Sequence, residues 1–287
     1  MSVVKDDGLQ KQIEEIDTKM YQLLMQRTEL VKQQNDGNAV ENSLGKEAAA
    51  IKRLLRLHQG DFPEYVVAKI WREILTASAF LNDKLKISLY GQEHDNSLAN
   101  IVQDHFGSYV DYETFGSFGQ VMNALTSHDV QLAVIPSDNH EINQKPWWGA
   151  FSAAPNGERL QVIAKLPFIR RKEAKDINEV YVVSLSAADK SGSDISLLAV
   201  EVAADVSSST LVDILEEGGF SGAKVLTIVP LENDEKSCLV EVNGYVKTED
   251  ARFKNLDEAI KNISIVGAYA QPVSCLLYTS PSPRDRS

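Results

Sequence analysis

Residues 16–31 read IDTKMYQLLMQRTELV, and the spacing of their apolar side chains decides how the first quarter of the chain folds. With Leu9 and Ile13 upstream, Ile16, Met20, Leu23 and Leu30 recur three, four or seven positions apart, the period of one helix face. Asp6 and Asp7 stand where a helix start favours a capping or negative side chain. The spacing predicts a helix over 7–34, roughly 40 Å long at about 1.5 Å per residue. The stretch NDGNAVENSLG, 35–45, is polar and glycine-bearing and reads as a loop. A second helix follows over 46–58 with Ile51, Leu54 and Leu55 on its apolar face, and Gly60 ends it. Pro63 suits a first helical turn. From there a third helix runs to about residue 83, with Val66, Ile70, Trp71, Ile74 and Leu81 as its buried face.

Helices in long, short, long order make an incomplete bundle, because the first outruns its two partners. Burying its remaining stripe against a second copy is the economical solution, so a homodimer intertwined through this helix is expected.

After Lys84 the period changes. KISLYG, VDYETF and VQLAVIP read as strands, with helices over 96–106 and 117–127 between them, the alternation of parallel βαβ units. RLQVIAKLPFI and EVYVVSLS add two strands, and AADKSGS, 187–193, reads as a domain boundary. Beyond it, strands at ISLLAVEVA, AKVLTIVPL, CLVEVNGYV and ISIVGAYA, with helices over 207–217 and 256–262, give the βαββαβ order of a ferredoxin-like unit. The expected organisation is multidomain, α followed by α/β: a three-helix unit over 6–84, a βαβ lobe over 85–190, a ferredoxin-like unit over 194–273, and a tail over 274–287. That tail, SCLLYTSPSPRDRS, resembles translated sequencing-adapter read-through, a natural disordered tail being the alternative.

A formal charge of −12 over 287 residues argues against nucleic acid or an anionic membrane as partner. No signal-like or membrane-spanning run is read, and the two cysteines, Cys238 and Cys275, frame neither a disulfide scaffold nor a metal cluster. A reducing cytoplasm is the plain expectation. His94, His128 and His140 lack metal-ligand spacing, and Trp147–Trp148 reads as a packed turn.

Chemistry is sought among polar residues on apolar faces. Arg27 lies seven residues after Met20 and three before Leu30, on the stripe of the first helix. Glu47 precedes Ile51 by four, and Ser78 and Asn82 share a face of the third helix with Trp71 and Leu75. A buried guanidinium needs an anion, met either by an internal carboxylate such as Glu47 or by an anionic ligand.

These segments resemble the all-helical chorismate mutases. IDTKMYQLLMQRTELV is similar to their first helix, GKEAAAIKRLL to the second and IWREILTASAFLN to the third, covering most of residues 8–84. The resemblance implies a Claisen rearrangement of chorismate to prephenate, with no cofactor and no metal. Arginines would clamp the substrate's two carboxylates, a carboxylate would orient its hydroxyl, and side-chain donors would meet charge developing on the ether oxygen. By position, Arg27 would clamp a carboxylate and Glu47 would hold the hydroxyl. Lys46 stands where an arginine is usual, and Asn82 where a Gln or Glu donor is usual. Gln10 stands in place of the arginine that reaches into the partner subunit's pocket, and Asn38 in place of a lysine; Ser78 matches the family's serine. The site thus keeps Arg27 and Glu47 but has fewer cations than the family pattern.

The middle segment, with QVMNALTSHDVQLAVIPSDN and its Pro136-Ser137-Asp138-Asn139 turn, resembles one lobe of prephenate dehydratase. The Thr-Arg-Phe motif of that enzyme has no counterpart near EVYVVSLS, which implies a scaffold rather than a dehydratase. The last unit resembles an ACT-like regulatory domain without its amino-acid-binding signatures. The leading expectation is a chorismate mutase of aromatic amino-acid biosynthesis. The alternative is a weak or inactive regulatory homologue, and a bifunctional mutase–dehydratase comes third.

Overall fold

The computed structural model describes residues 3–34, 44–81, 84–91, 97–108, 110–138, 145–151, 159–171, 178–232 and 234–275. The helical unit comprises α1 (Val3–Gln34), α2 (Leu44–Leu57) and α3 (Glu64–Ala79). Pro63 precedes α3 in an extended conformation, which its fixed φ allows, and α3 closes at Phe80, short of the expected end.

The stripe on α1 has formed but is not covered within one chain: Leu9, Ile13, Ile16, Met20, Leu23 and Leu30 are each 51–65% exposed. Arg27, expected on a buried stripe, is only half-buried for the same reason. The expected buried face of α3 also needs correction. Val66, Ile70 and Leu81 are exposed, whereas Ala68, Arg72, Thr76 and Ser78 are buried. Val66 and Ile70 of α3 face outward, while Trp71 and Leu75 pack against the core shared with the α/β body, flanking the buried row of Ala68, Arg72 and Thr76.

That body is built on a nine-stranded sheet in the order β2-β1-β3-β6-β4-β10-β7-β9-β8. β1 (Leu85–Tyr90), β2 (Val110–Phe115) and β3 (Leu132–Pro136) are parallel, with α4 (Ser97–Phe106) and α5 (Phe118–Thr126) as crossovers. Ser117 caps α5, accepting from the Gln120 amide at 3.3 Å. β4 (Gln161–Leu166) and β6 (Val180–Ser184) then join antiparallel rather than in parallel units, β6 against β3 and β4 against β6. The strand expected to run through RLQVIAKLPFI stops at Leu166. After Pro167, β5 (Ile169–Arg171) leaves the sheet and pairs with β11 (Val273–Cys275). Ser274 and Cys275, counted with the tail in the sequence, therefore belong to a strand.

β7 (Asp194–Ala203), α6 (Ser208–Glu217), β8 (Lys224–Pro230), β9 (Glu235–Asn243) and β10 (Ile260–Ala270) follow. Their order β10-β7-β9-β8, every neighbour antiparallel, is that of the ferredoxin-like unit. Its second helix is replaced by a short 3-10 turn, Ala251–Asn255, correcting the helix expected over 256–262. Asp257 turns the chain there, accepting from the Ala259 amide at 2.8 Å, and β10 takes up the rest of the segment by pairing Ile260 with Val202. The lobe and this unit share one sheet because β10 lies parallel beside β4 at Gly267 and Val162. A Cβ at Gly267 would fall 2.1 Å from the Val162 carbonyl oxygen, so only glycine permits this approach.

The helical unit does not stand apart. Ala48, Ile51 and Ala68 enter one core with Leu85, Ile87, Val102, Phe106 and Phe168, on the face of the sheet that α4 also covers. The opposite face packs Trp147, Trp148, Phe151 and Tyr181, the tryptophans forming the packed turn expected from the sequence.

Candidate active site

α1 presents Arg27 to α3, where its Nη1 donates to Ser78 Oγ at 2.7 Å. Ser78 in turn donates to the Ile74 carbonyl at 2.6 Å, which fixes its hydroxyl to accept from the guanidinium. Partial burial holds the Arg27 pKa below the usual arginine value, opposed by the charge of Glu47. Arg27, Ser78 and Glu47 are thereby brought into one neighbourhood across all three helices.

Glu47 finds a second cation. In the first turn of α2, where a negative charge meets the helix dipole favourably, its Oε2 accepts from Arg72 Nη1 at 3.1 Å. Arg72 is 2% exposed and is the largest of the fully buried side chains. Its guanidinium lies over the Phe168 ring, 5.2 Å from the centroid. Burial lowers the Arg72 pKa and Glu47 raises it, by charge and by hydrogen bond. Sequence reasoning passed over Arg72. The available signal was its place in a row with Ala68 and Thr76, four residues to either side, with small neighbours that leave room for a long side chain.

Lys46 does not join this cluster. Its side chain is 78% exposed, and its Nζ lies 3.4 Å from Asp189 Oδ2, on the segment that links β6 to β7. Gln10 sits far along α1, exposed, donating to Glu14 Oε1 at 3.4 Å. Asn38 and Asn82, as well as Asn139 of the middle segment, lie outside the described residues. One chain therefore assembles a guanidinium, a hydroxyl and a carboxylate, an arrangement able to hold a carboxylate and a hydroxyl of one small ligand.

The α2 turn carrying Lys46 and Glu47 is also the turn that docks on the lobe. A Cβ at Gly45 would fall 2.1 Å from the Asp189 carbonyl oxygen. Lys52, one turn further along α2, donates to the Ser193 carbonyl at 3.1 Å.

Comparison with known proteins gives the following. Residues 9–81 match the family model described as chorismate mutase type II. The chain is 26% identical over 143 residues to a bifunctional chorismate mutase/prephenate dehydratase of Pseudomonas aeruginosa, the match covering 46% of this chain and 38% of that protein. The chain thus spans about two fifths of the length of that relative. Among solved structures, a protein described as GqqA, a novel type of quorum-quenching acylase, aligns at 16% identity and TM-score 0.46, over 66% of this chain and 95% of that one. A prephenate dehydratase from Streptococcus mutans aligns at 15% identity and TM-score 0.43, over 67% of this chain and 99% of its own.

Proposed function

We propose, from a helical domain at residues 9–81 that belongs to the chorismate mutase type II family, that this protein isomerises chorismate to prephenate as a homodimer. The observation that carries this reading is the convergence of Arg27, Ser78 and Glu47 from three helices, with the Arg27–Ser78 bond at 2.7 Å. Arg27 would clamp a substrate carboxylate, exchanging its serine partner for a charged one. Glu47, steadied by Arg72, would accept the substrate hydroxyl's hydrogen bond. No covalent step is needed. The enzyme gathers a flexible dicarboxylate into its reactive conformer and meets the charge that develops on the ether oxygen. Asn82 is the donor proposed for that oxygen, with Lys46 and Asn38 as outlying cation-position residues and Gln10 supplied by the second copy. Support for the second copy is the uncovered stripe from Leu9 to Leu30 on α1.

A second reading, a non-catalytic homologue of the same fold, is favoured by one observation: Lys46 points to Asp189 rather than toward Arg27. Spectroscopic loss of chorismate decides between them. Wild type should turn it over and Arg27→Ala should not, with both proteins equally folded. Removing one well-placed donor to developing charge costs about 3–4 kcal/mol, two to three decades in rate. An inert, folded wild type would leave the non-catalytic reading.

A further inference from the structure

A narrow crevice of about 10 Å³ lies at the seam between the helical domain and the α/β body, lined by Arg72, His105, Lys165, Ala48, Phe168 and Ala270 among others. Two of these side chains bring unanswered polarity to it. Arg72, 2% exposed, has Nε and Nη2 without partners, and His105, 7% exposed, has Nε2 without one. The N–H groups of Nε and Nη2 lie side by side on one edge of the guanidinium, the edge that receives an anion through two parallel hydrogen bonds. Glu47 is met on a different edge, through Nη1, and does not line the crevice. Leaving a buried guanidinium with two unanswered donors is costly.

Charge sets the sign of the occupant. No carboxylate is among the crevice's described lining side chains. Lys165, the second cation there, is already paired with Glu179 at 2.7 Å and Glu241 at 2.8 Å. Among the described residues, Glu47 is the counter-charge that acts on both Arg27 and Arg72. Size limits the class. A crevice of about 10 Å³ is small, so its occupant is a small anion.

We propose that the outer edge of Arg72, with His105, forms a small-anion site in the seam between the helical domain and the α/β body. It lies behind the Glu47–Arg72 pair and is independent of whether chorismate is turned over. Its occupant bonds to the helical unit through Arg72 on α3 and to the lobe through His105 on α4, so it strengthens their docking.

The test uses the full chain. Thermal unfolding is followed in sodium bromide and in sodium gluconate at matched ionic strength, for wild type and for His105→Phe, which keeps the ring and removes the nitrogen. Wild type should be stabilised by bromide alone, each tenfold rise beyond half-saturation adding about 3 °C to Tm. In His105→Phe the curve should shift to at least about tenfold higher bromide, the loss of one hydrogen bond to a charged group. Should that variant not fold, anomalous scattering from bromide-soaked wild-type crystals serves in its place, with a peak expected beside Arg72 Nε and Nη2. Equal Tm in the two salts, or a crevice that holds water and no bromide, would overturn the proposal.

Discussion

Arg72→Met should be among the most damaging single changes in the helical unit. The pair it breaks is buried on both sides, with side-chain exposure of 2% for Arg72 and 9% for Glu47. Losing one partner of such a pair costs about 3–5 kcal/mol, because the carboxylate stays buried without its counter-charge. Arg27 still acts on Glu47, which places the expected loss near the lower figure. Methionine is long and polarisable enough to lie over Phe168, so the lost stacking adds little. At about 2–4 °C per kcal/mol, Tm should fall by roughly 6–12 °C. The double variant Arg72→Met/Glu47→Leu removes both charges and should recover to within about 1 kcal/mol of wild type, since apolar replacement of a buried pair is often neutral. Calorimetric unfolding of wild type, both single variants and the double variant closes the cycle, with an expected coupling of about 5 kcal/mol if Glu47→Leu alone costs as much as Arg72→Met. A double variant as unstable as the sum of its singles would refute the pairing and leave Arg72 a packing residue only.

Three further outcomes are expected. Gly45→Ala should loosen α2 from the Asp189 segment, because its Cβ would meet a carbonyl oxygen at 2.1 Å; raised proteolytic sensitivity across 187–193 would register this, and unchanged cleavage would count against it. Leu23→Asp should leave a monomer in sedimentation at micromolar concentration, since it puts a charge in the middle of the uncovered α1 stripe; a dimer that survives it must use another face. His105 is held well below the ordinary histidine range, by burial first and then by Arg72 and Lys69. Above about pH 6.5 the ring is neutral folded or unfolded, and below it only the unfolded chain takes the proton, so stability falls with pH by up to about 1.4 kcal/mol per unit. Urea midpoints should show this acid slope in wild type and a shallower one in His105→Phe.

How far the sequence could be read depended on whether the deciding interaction was local. The stripe on α1 follows from residues three and four apart, and so do the short helix α2 and the helix α5. The parallel strands β1, β2 and β3 follow from apolar runs separated by helical ones. Arg27, Ser78 and Glu47 were legible as a group because each breaks an apolar face. Arg72 was not legible in the same way. Val66 and Ile70 supplied a more hydrophobic face on the same helix, and nothing within α3 reveals that its small, polar row meets a sheet. The close approaches of Gly45 to Asp189 and of Gly267 to Val162 join residues about one hundred or more positions apart, which no local period encodes.

The second helix of the ferredoxin-like unit failed for a related reason. Its residues carry a usable helical pattern, but the ladder with β7 offers more. Ile260, Ile263 and Ile265 pack with Leu198, Val200 and Val202 as part of the core under that sheet. The same competition bears on the candidate site. In the proposed function the first turn of α2 would face a ligand while it docks on a body: Gly45 lies against the Asp189 backbone, Lys46 reaches toward its carboxylate, Glu47 meets Arg72, and Ala48 lines the crevice beside it. A substitution for the cation usual at Lys46 would therefore be not only a loss at the proposed ligand. A lysine reaches Asp189 as a flexible point charge, whereas an arginine there would bring a planar fork that competes for the same carboxylate and for the ligand. Of the departures from the family pattern, Lys46 falls on a turn that the α/β body holds, which would tie the chemistry proposed for the helical domain to its docking.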